Sequence, residues 1–287
     1  MKKRLIELYK HCFPEDAEKT VAFMFEHILG ENNVLTEFDS GKLVGAMYLV
    51  DKTLYYKGSE YPLPYIVALG TATSHRNKGY AEKLIVRSLD KLFLNKVPFV
   101  GLYPFKHSFY EKYGFFTPSY DYKLVGERVA CDITKTKQIY ENFCKELDYY
   151  IVRKDNFYDF LNGISLIEGE KFYEIVDNGT TSGYTCLDES VPTQYYKGVQ
   201  KGTMIRIADA YTALSISNLT FDKKIKIIDN LVSGNNFSCL VKNGKVTATS
   251  DFDIALDISD LGQILFGKKT LDGAMCNALN GYLADKY

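Results

Sequence analysis

The segment Ile66–Ala81 constrains the fold of this chain more than any other part of its sequence. It begins with apolar and β-branched residues, passes through a short polar loop, and runs into a stretch whose apolar residues recur at helical spacing. The first backbone N–H groups of a helix have no partner within the helix, and the helix dipole favours negative charge at this end. Gly79 lets phosphate oxygens approach the backbone closely, and Arg76 and Lys78 add cationic donors. The segment therefore predicts a pyrophosphate-binding site.

The order R-x-x-G-x-A at residues 76–81 resembles motif A of the GNAT acetyltransferases, which holds the pyrophosphate of acetyl-CoA. The competing phosphate loops, G-x-x-x-x-G-K-[ST] and G-x-G-x-x-G with a following acidic residue, do not occur in the sequence. A strand–turn–helix connection with basic surface residues would explain an isolated match equally well. The resemblance implies that acetyl-CoA is bound by nine residues: Leu69, Gly70, Thr71, Arg76, Asn77, Lys78, Gly79, Tyr80 and Ala81.

These nine residues have different implied roles. In GNAT-like enzymes the pantetheine lies along the strand of motif A, so the main-chain groups of Leu69 and Thr71 would contact it, with Gly70 allowing a bulge or a splay. The sequence departs from the family pattern at Thr73, where proline is frequent, and at Asn77, which replaces a basic residue common in one group of the family. We expect the first change to alter the rigidity of the loop and the second to weaken the phosphate contact.

A second motif, S-F-Y-E-K-Y-G-F-F at residues 108–116, follows a strand-like run at residues 97–103. It resembles motif B of the same family, in which a helix packs beside the thiol end of the cofactor. Helical spacing puts Tyr110 and Gly114 on one face, and Gly114 is expected to end the helix. The resemblance implies that Tyr110 is the general acid that protonates the departing thiolate. An aromatic helix-to-strand corner in the core is the alternative.

The element order extends the resemblance over residues 1–125. Two amphipathic helices are predicted at residues 4–13 and 15–29, and strands at 34–37, 43–51 and 52–57 precede motif A. The expected fold class is α+β: a GNAT fold with a mixed central sheet flanked by helices (residues 1–125), a reduced GNAT-like or linking segment (126–195) and a C-terminal domain (196–287).

The C-terminal segment resembles the sterol-carrier-like domain of the Eis (enhanced intracellular survival) acetyltransferases. The matching features are M-I-R-I-A-D-A-Y-T-A-L from Met204 and D-I-S-D-L-G-Q-I-L-F-G from Asp257, in that order behind a GNAT domain. A two-residue hairpin turn is predicted at Asn243–Gly244, and a helix is predicted over Leu271–Ala284. In the Eis-like group the general base is the C-terminal carboxylate, which corresponds here to Tyr287; a frayed and solvated terminus is the alternative.

Composition excludes several classes of function. The apolar fraction of 46%, the charged fraction of 25% and the net charge of −1 give no case for a nucleic-acid partner, and no apolar run is long enough to span a membrane. No cysteine or histidine spacing suggests a metal site, so no metal is expected. The six cysteines occur singly, which favours reduced thiols and a cytoplasmic location.

The leading hypothesis is an acetyl-CoA-dependent N-acetyltransferase that acts by direct transfer on a small amine, either a polyamine or an aminoglycoside-like acceptor. Two alternatives remain at this point: a non-catalytic protein that binds acyl-CoA or an apolar ligand, and a peptide N-acetyltransferase. A homo-oligomer is also open, because Eis-like proteins form hexamers, although the middle segment of this chain is short.

Overall fold

The computed structural model of the chain describes residues 1–187, 189–194, 200–219, 221–271 and 279–283. The helices within these residues are α1 (Lys2–Cys12), α2 (Glu18–His27), α3 (Tyr80–Leu94), α4 (His107–Glu111), α5 (Ile133–Cys144), α6 (Asp155–Glu168), α7 (Ala210–Ile216) and α8 (Ile258–Leu265). The strands are β1 (Val34–Asp39), β2 (Lys42–Tyr56), β3 (Ser59–Thr71), β4 (Phe99–Leu102), β5 (Tyr120–Asp121), β6 (Glu127–Cys131), β7 (Tyr149–Val152), β8 (Phe172–Asp177), β9 (Thr180–Cys186), β10 (Glu189–Pro192), β11 (Gln200–Lys201), β12 (Met204–Ile207), β13 (Lys223–Ile228), β14 (Ser238–Lys242), β15 (Lys245–Ala248), β16 (Ile254–Asp257) and β17 (Gly281–Tyr282).

A seven-stranded mixed sheet forms the centre of the molecule. Its order is β12-β4-β3-β2-β7-β17, and β1 pairs with the first half of β2. The pairs β3–β4 and β7–β17 are parallel, whereas the other pairs are antiparallel. The predicted mixed sheet is thus confirmed, and it takes strands from all three of the predicted segments.

Helices cover both faces of the central sheet. Because successive side chains of a strand point to opposite faces, Met47 of β2 packs with Ile85 and Leu89 of α3, while Tyr48 packs with Leu5 of α1 and with α2. The apolar periodicity that predicted these helices therefore corresponds to buried faces on either side of one sheet.

Three smaller sheets of the described residues lie outside the central one, and the smallest is the antiparallel pair of β5 and β11. The middle segment contributes the antiparallel sheet β10-β9-β8-β6, and the C-terminal segment contributes β15-β14-β13-β16. The predicted Asn243–Gly244 turn joins β14 to β15, with φ of +49° and +72°. The C-terminal segment packs directly on the central sheet, where the Tyr56 hydroxyl donates to the Leu265 carbonyl (2.7 Å) and the ring of Phe266 contacts those of Tyr56 and Phe99.

Two predicted elements differ in the structure. The predicted break between residues 51 and 52 is wrong: β2 is continuous, because Asp51 and Lys52 pair with Pro64 and Leu63 of the neighbouring strand. The helix predicted over Leu271–Ala284 is wrong where its residues are described, since Gly281–Tyr282 is a strand beside β7; residues 272–278 and 284 lie outside the described ranges. Unpaired backbone groups at the sheet edge outweigh the helical pattern there.

A substitution at Gly114, in the loop after α4, can test how closely the C-terminal segment packs on residues 1–125. Gly114 has φ +81°, and a Cβ atom there would lie 2.8 Å from Cγ2 of Ile258. Gly79 has the same φ of +81°, but a Cβ atom there would meet no heavy atom within 4 Å. Both Gly→Ala variants should lose about 1–2 kcal/mol through the left-handed backbone, and Gly114→Ala a further 1–3 kcal/mol or so through overpacking. Urea unfolding of the two variants measures the difference; equal losses would contradict the packing.

Candidate active site

Strands β3 and β4 separate at the middle of the central sheet. They pair in parallel at Tyr65–Gly101 and Ile66–Leu102, and β3 then continues beside β2 alone as far as Thr71. Residues 67–71 of β3 therefore have a sheet partner on one side, and their backbone groups on the other side border an opening. We call this space the strand opening.

A β-bulge shapes the strand opening. Ala46 pairs with Gly70 and Tyr48 pairs with Val67, so that Met47 alone opposes two residues of β3, Ala68 and Leu69. Ala68 has φ +50°, which is uncommon for a residue other than glycine and indicates local strain. The sequence suggested that the irregularity depends on Gly70; the bulge instead lies at Ala68 and Leu69, the two residues before it.

Gly70 has a different role, which is to allow close packing. A Cβ atom at this position would lie 2.9 Å from Sγ of Cys12, at the end of α1. Burial raises the pKa of the Cys12 thiol, so the thiol is protonated at neutral pH. Gly70 thus brings α1 against the strand opening.

The loop between β3 and α3 has the geometry of an anion site. After one turn of 3-10 helix at Thr73–His75, Asn77 has φ +61° and Gly79 has φ +81°. Asparagine tolerates the left-handed region better than most residues, which accounts for its presence at position 77. No side chain of the described residues caps the N-terminus of α3, so its first N–H groups are available to a ligand. Arg76 lies beside the loop, with its Nε donating to the Thr71 carbonyl (3.3 Å).

The strand opening and this loop belong to one cleft with a volume of about 640 Å³. Of the nine predicted cofactor residues, only Lys78 is not part of its lining; this side chain is exposed at the surface. The sequence missed eight further lining residues: Cys12, Phe13, His75, Glu82, Phe105, Phe109, Lys112 and Tyr113. The spacing of Phe109, Lys112 and Tyr113, three and four residues apart, is the signal that could have found one wall.

That wall is formed by aromatic rings and a cation. The Nζ atom of Lys112 lies 4.9 Å from the ring centroid of Phe109 and 4.7 Å from that of Tyr113. The hydroxyl of Tyr113 is 3.5 Å from Oε2 of Glu82, across the cleft on α3. The wall can therefore bury apolar parts of a ligand while Lys112 and Arg76 contribute positive charge.

The two predicted catalytic residues are placed differently. Tyr110 is only 4% exposed and is not part of the cleft lining; its ring contacts those of Phe105 and Phe109, with centroids 5.7 and 4.9 Å apart. Burial raises the pKa of the Tyr110 phenol above its usual value of 10. Tyr287 lies outside the described residues.

The residues of the cleft fit acetyl-CoA. Oγ1 of Thr71 is buried at the cleft without a hydrogen-bond partner among the described residues, as expected for a group that a ligand satisfies. The space beside Gly79 is open, so phosphate oxygens can reach the N-terminus of α3. The described residues contain no group of three or more histidine, cysteine, aspartate or glutamate side chains that could hold a metal ion. Every helix in the described ranges is too short or too polar to span a bilayer.

Known proteins resemble this chain chiefly in structure. A probable N-acyltransferase from Enterococcus faecalis matches with a TM-score of 0.73 and 14% identity, covering 100% of this chain and 97% of its own. Eis1 from Mycobacterium abscessus matches with a TM-score of 0.70 and 14% identity, covering 94% and 88%. A GCN5-related N-acetyltransferase from Anabaena variabilis has a TM-score of 0.66 and 18% identity, covering 91% and 86%. These likenesses show the fold.

At the level of sequence, no curated protein matches the chain. Residues 2–117 match the family model of the acetyltransferase (GNAT) domain. The matched range contains the bulged strand β3, the loop between β3 and α3, and the aromatic wall of the cleft. Residues 2–117 therefore correspond to a GNAT acetyltransferase domain, and this match supports N-acetyltransferase activity.

Proposed function

We propose that the chain transfers the acetyl group of acetyl-CoA directly to a primary amine of a small polyamine or aminoglycoside-like acceptor. One observation carries the proposal: the strand opening and the uncapped N-terminus of α3 lie in the same cleft. A single extended ligand can therefore place its pyrophosphate at the helix and its thioester at the bulge. Holding the thioester beside the amine replaces a bimolecular encounter and lowers the barrier by several kcal/mol.

Each part of the cleft has a role in this proposal. Arg76 and the N–H groups at the start of α3 bind the pyrophosphate. The backbone of Leu69 and the hydroxyl of Thr71 bind the pantetheine arm. A backbone N–H at the Ala68 bulge donates to the carbonyl oxygen on which negative charge develops during attack by the amine.

Tyr110 is proposed as the general acid toward the departing thiolate. Its raised pKa means that the phenol keeps its proton at neutral pH, which suits a donor rather than a base. Tyr113, on the same segment, is the competing donor because it lines the cleft. The carboxylate of Tyr287 is proposed as the base by resemblance to the Eis group.

The acceptor class, a polyamine or an aminoglycoside-like amine, is also proposed from the resemblance to the Eis group. A peptide N-terminus is the alternative acceptor, and it would undergo the same reaction. The sterol-carrier-like assignment of residues 196–287 is proposed on the matching sequence patterns and on the small sheet β15-β14-β13-β16 that packs with α7 and α8. A cytoplasmic location and a homo-oligomer stay predictions.

The phosphate-binding loop gives the first prediction about function. Arg76→Ala combined with Gly79→Asp should abolish detectable acetyl-CoA binding, because the variant removes a cation and puts a carboxylate where the pyrophosphate would lie. Isothermal calorimetry with acetyl-CoA measures this. Gly179→Asp is the matched control, since it introduces the same charge at a hairpin glycine with a similar φ of +78° in the middle segment. Undiminished affinity in the double variant would contradict the site.

The roles of Tyr110 and Tyr113 can be distinguished by removing the hydroxyl oxygen from each in turn. Tyr110→Phe should lower kcat by about 100-fold, the lower range for loss of a general acid, and leave the acetyl-CoA dissociation constant unchanged. Tyr113→Phe should change kcat little. Steady-state thiol release from acetyl-CoA measures both; a large loss in Tyr113→Phe alone would transfer the acid role to Tyr113.

The base and the acceptor can be tested together. Thiol release should occur with at least one polyamine or aminoglycoside, and one glycine added after Tyr287 should abolish it because the carboxylate is displaced from the cleft. Turnover that survives the added glycine would exclude Tyr287 as the base but keep the acetyltransferase. Turnover with short peptides in place of polyamines would change the substrate class.

A further inference from the structure

Arg206 on β12 is fully buried, which is costly for an arginine unless each donor is satisfied. Its Nη2 atom donates to both carboxylate oxygens of Asp229 (2.7 and 2.8 Å), and its Nη1 atom donates to the Ile207 carbonyl (2.6 Å). Its Nε atom donates to the carbonyl of Tyr113 (2.6 Å). One guanidinium therefore ties the end of the aromatic wall to two parts of the C-terminal segment.

Asp229 is itself fixed by several groups. One of its oxygens accepts from the backbone N–H groups of Leu231 (3.0 Å) and Val232 (3.2 Å), and the other accepts from Nδ2 of Asn235 (2.9 Å). Oδ1 of Asn235 accepts in turn from the N–H of Ala210 at the start of α7 (2.9 Å). The carboxylate thus gives the Arg206 guanidinium a rigid anchor within the C-terminal segment.

The segment that accepts the hydrogen bond from Arg206, at the end of α4, has few local interactions to stabilise it. Helix α4 has five residues, about one turn, so it depends on tertiary contacts for its stability. Tyr113 follows it and forms part of the cleft wall, and Gly114 comes next with φ +81°. A Cβ atom at Gly114 would lie 3.2 Å from Nε of Arg206, so the glycine leaves room for the guanidinium at the Tyr113 carbonyl.

We propose that Arg206 is a positioning residue of the acyl-CoA cleft: from the C-terminal segment it fixes the main chain at Tyr113 and thereby the wall made by Phe109, Lys112 and Tyr113. The inference rests on the proposed function, in which this cleft binds acetyl-CoA. It makes cofactor affinity depend on a side chain that lies outside the matched GNAT domain and outside the cleft lining.

A second buried ion pair provides a matched control. Arg153 in the middle segment is also fully buried; it donates to the Tyr184 hydroxyl (2.7 Å) and to Glu189, and its guanidinium lies 3.9 Å from the Tyr140 ring centroid. None of these partners lines the cleft. Loss of Arg153 therefore removes a buried charge of the same kind without touching the wall.

The experiment compares Arg206→Met, Arg206→Lys and Arg153→Met. It measures the acetyl-CoA dissociation constant by calorimetry, below the melting temperature of every variant, and amide hydrogen exchange over residues 109–116. We expect both Arg206 variants to bind acetyl-CoA about tenfold more weakly or worse and to exchange faster over residues 109–116. Arg153→Met should have a lower Tm, with affinity within about twofold of the native chain and unchanged exchange over this range.

If Arg206 only stabilises the fold, the expected affinity and hydrogen exchange are different. Arg206 variants that lose Tm but bind acetyl-CoA with native affinity, and exchange normally over residues 109–116, would overturn the positioning role and leave the proposed function intact. If Arg206→Met does not fold, the result with Arg206→Lys decides between the two roles. Lysine retains the positive charge beside Asp229, but it lacks the planar guanidinium that donates to three partners at once. A native chain that does not bind acetyl-CoA would overturn the proposed function and this inference together.

Discussion

The separation of β3 from β4 after Ile66 and Leu102 is the constraint on which the rest of the site depends. Backbone groups that leave a sheet without a partner are costly unless water or a ligand satisfies them. Here they border a cleft, and the bulge at Ala68 holds the strand in a strained conformation at the same point. The strand opening, the bulge and the start of α3 are close in sequence, because only one short loop separates the end of β3 from α3. This short stretch of chain brings backbone groups of β3 and the N-terminus of α3 into a single cleft.

The C-terminal segment contacts both β4 and the end of α4, so it contributes to the structure around the cleft. Strand β12 pairs with β4 on the edge opposite to β3, and Met204 pairs with Leu102, the residue at which β3 departs. Strand β4 therefore has a sheet partner on each side at its last residue, Leu102, beyond which β3 continues without it. The buried Arg206–Asp229 pair continues the connection to the end of α4. Because the Arg206 guanidinium donates to the carbonyl of Tyr113, which lines the cleft, we infer that the C-terminal segment helps to set the shape of the cleft.

The sequence predicted best where the signals are local. The positions of the loop before α3, the motif B helix and the Asn243–Gly244 turn depend on glycine, asparagine and helix-start chemistry within a few residues, and the structure has each of them. Side-chain placement was harder to predict. Lys78 belongs to the motif but is exposed outside the cleft lining, and Tyr110 lies behind Phe105 and Phe109. Periodicity gives the face of a helix, but not which of several aromatic residues on neighbouring turns borders a space made by other elements.

By itself, the sequence determined the order of helices and strands over residues 1–125, apart from the false break within β2, and the strand–loop–helix geometry of residues 66–81, because hydrophobic period, turn residues and helix termini are properties of short segments. Only the tertiary structure decided that β7, β12 and β17 complete the central sheet, that the bulge lies at Ala68, and that Cys12, Glu82 and Lys112 line the same cleft. These outcomes depend on contacts between residues far apart in the chain. The pattern of each strand is compatible with several neighbours, and the packing of the whole core selects one.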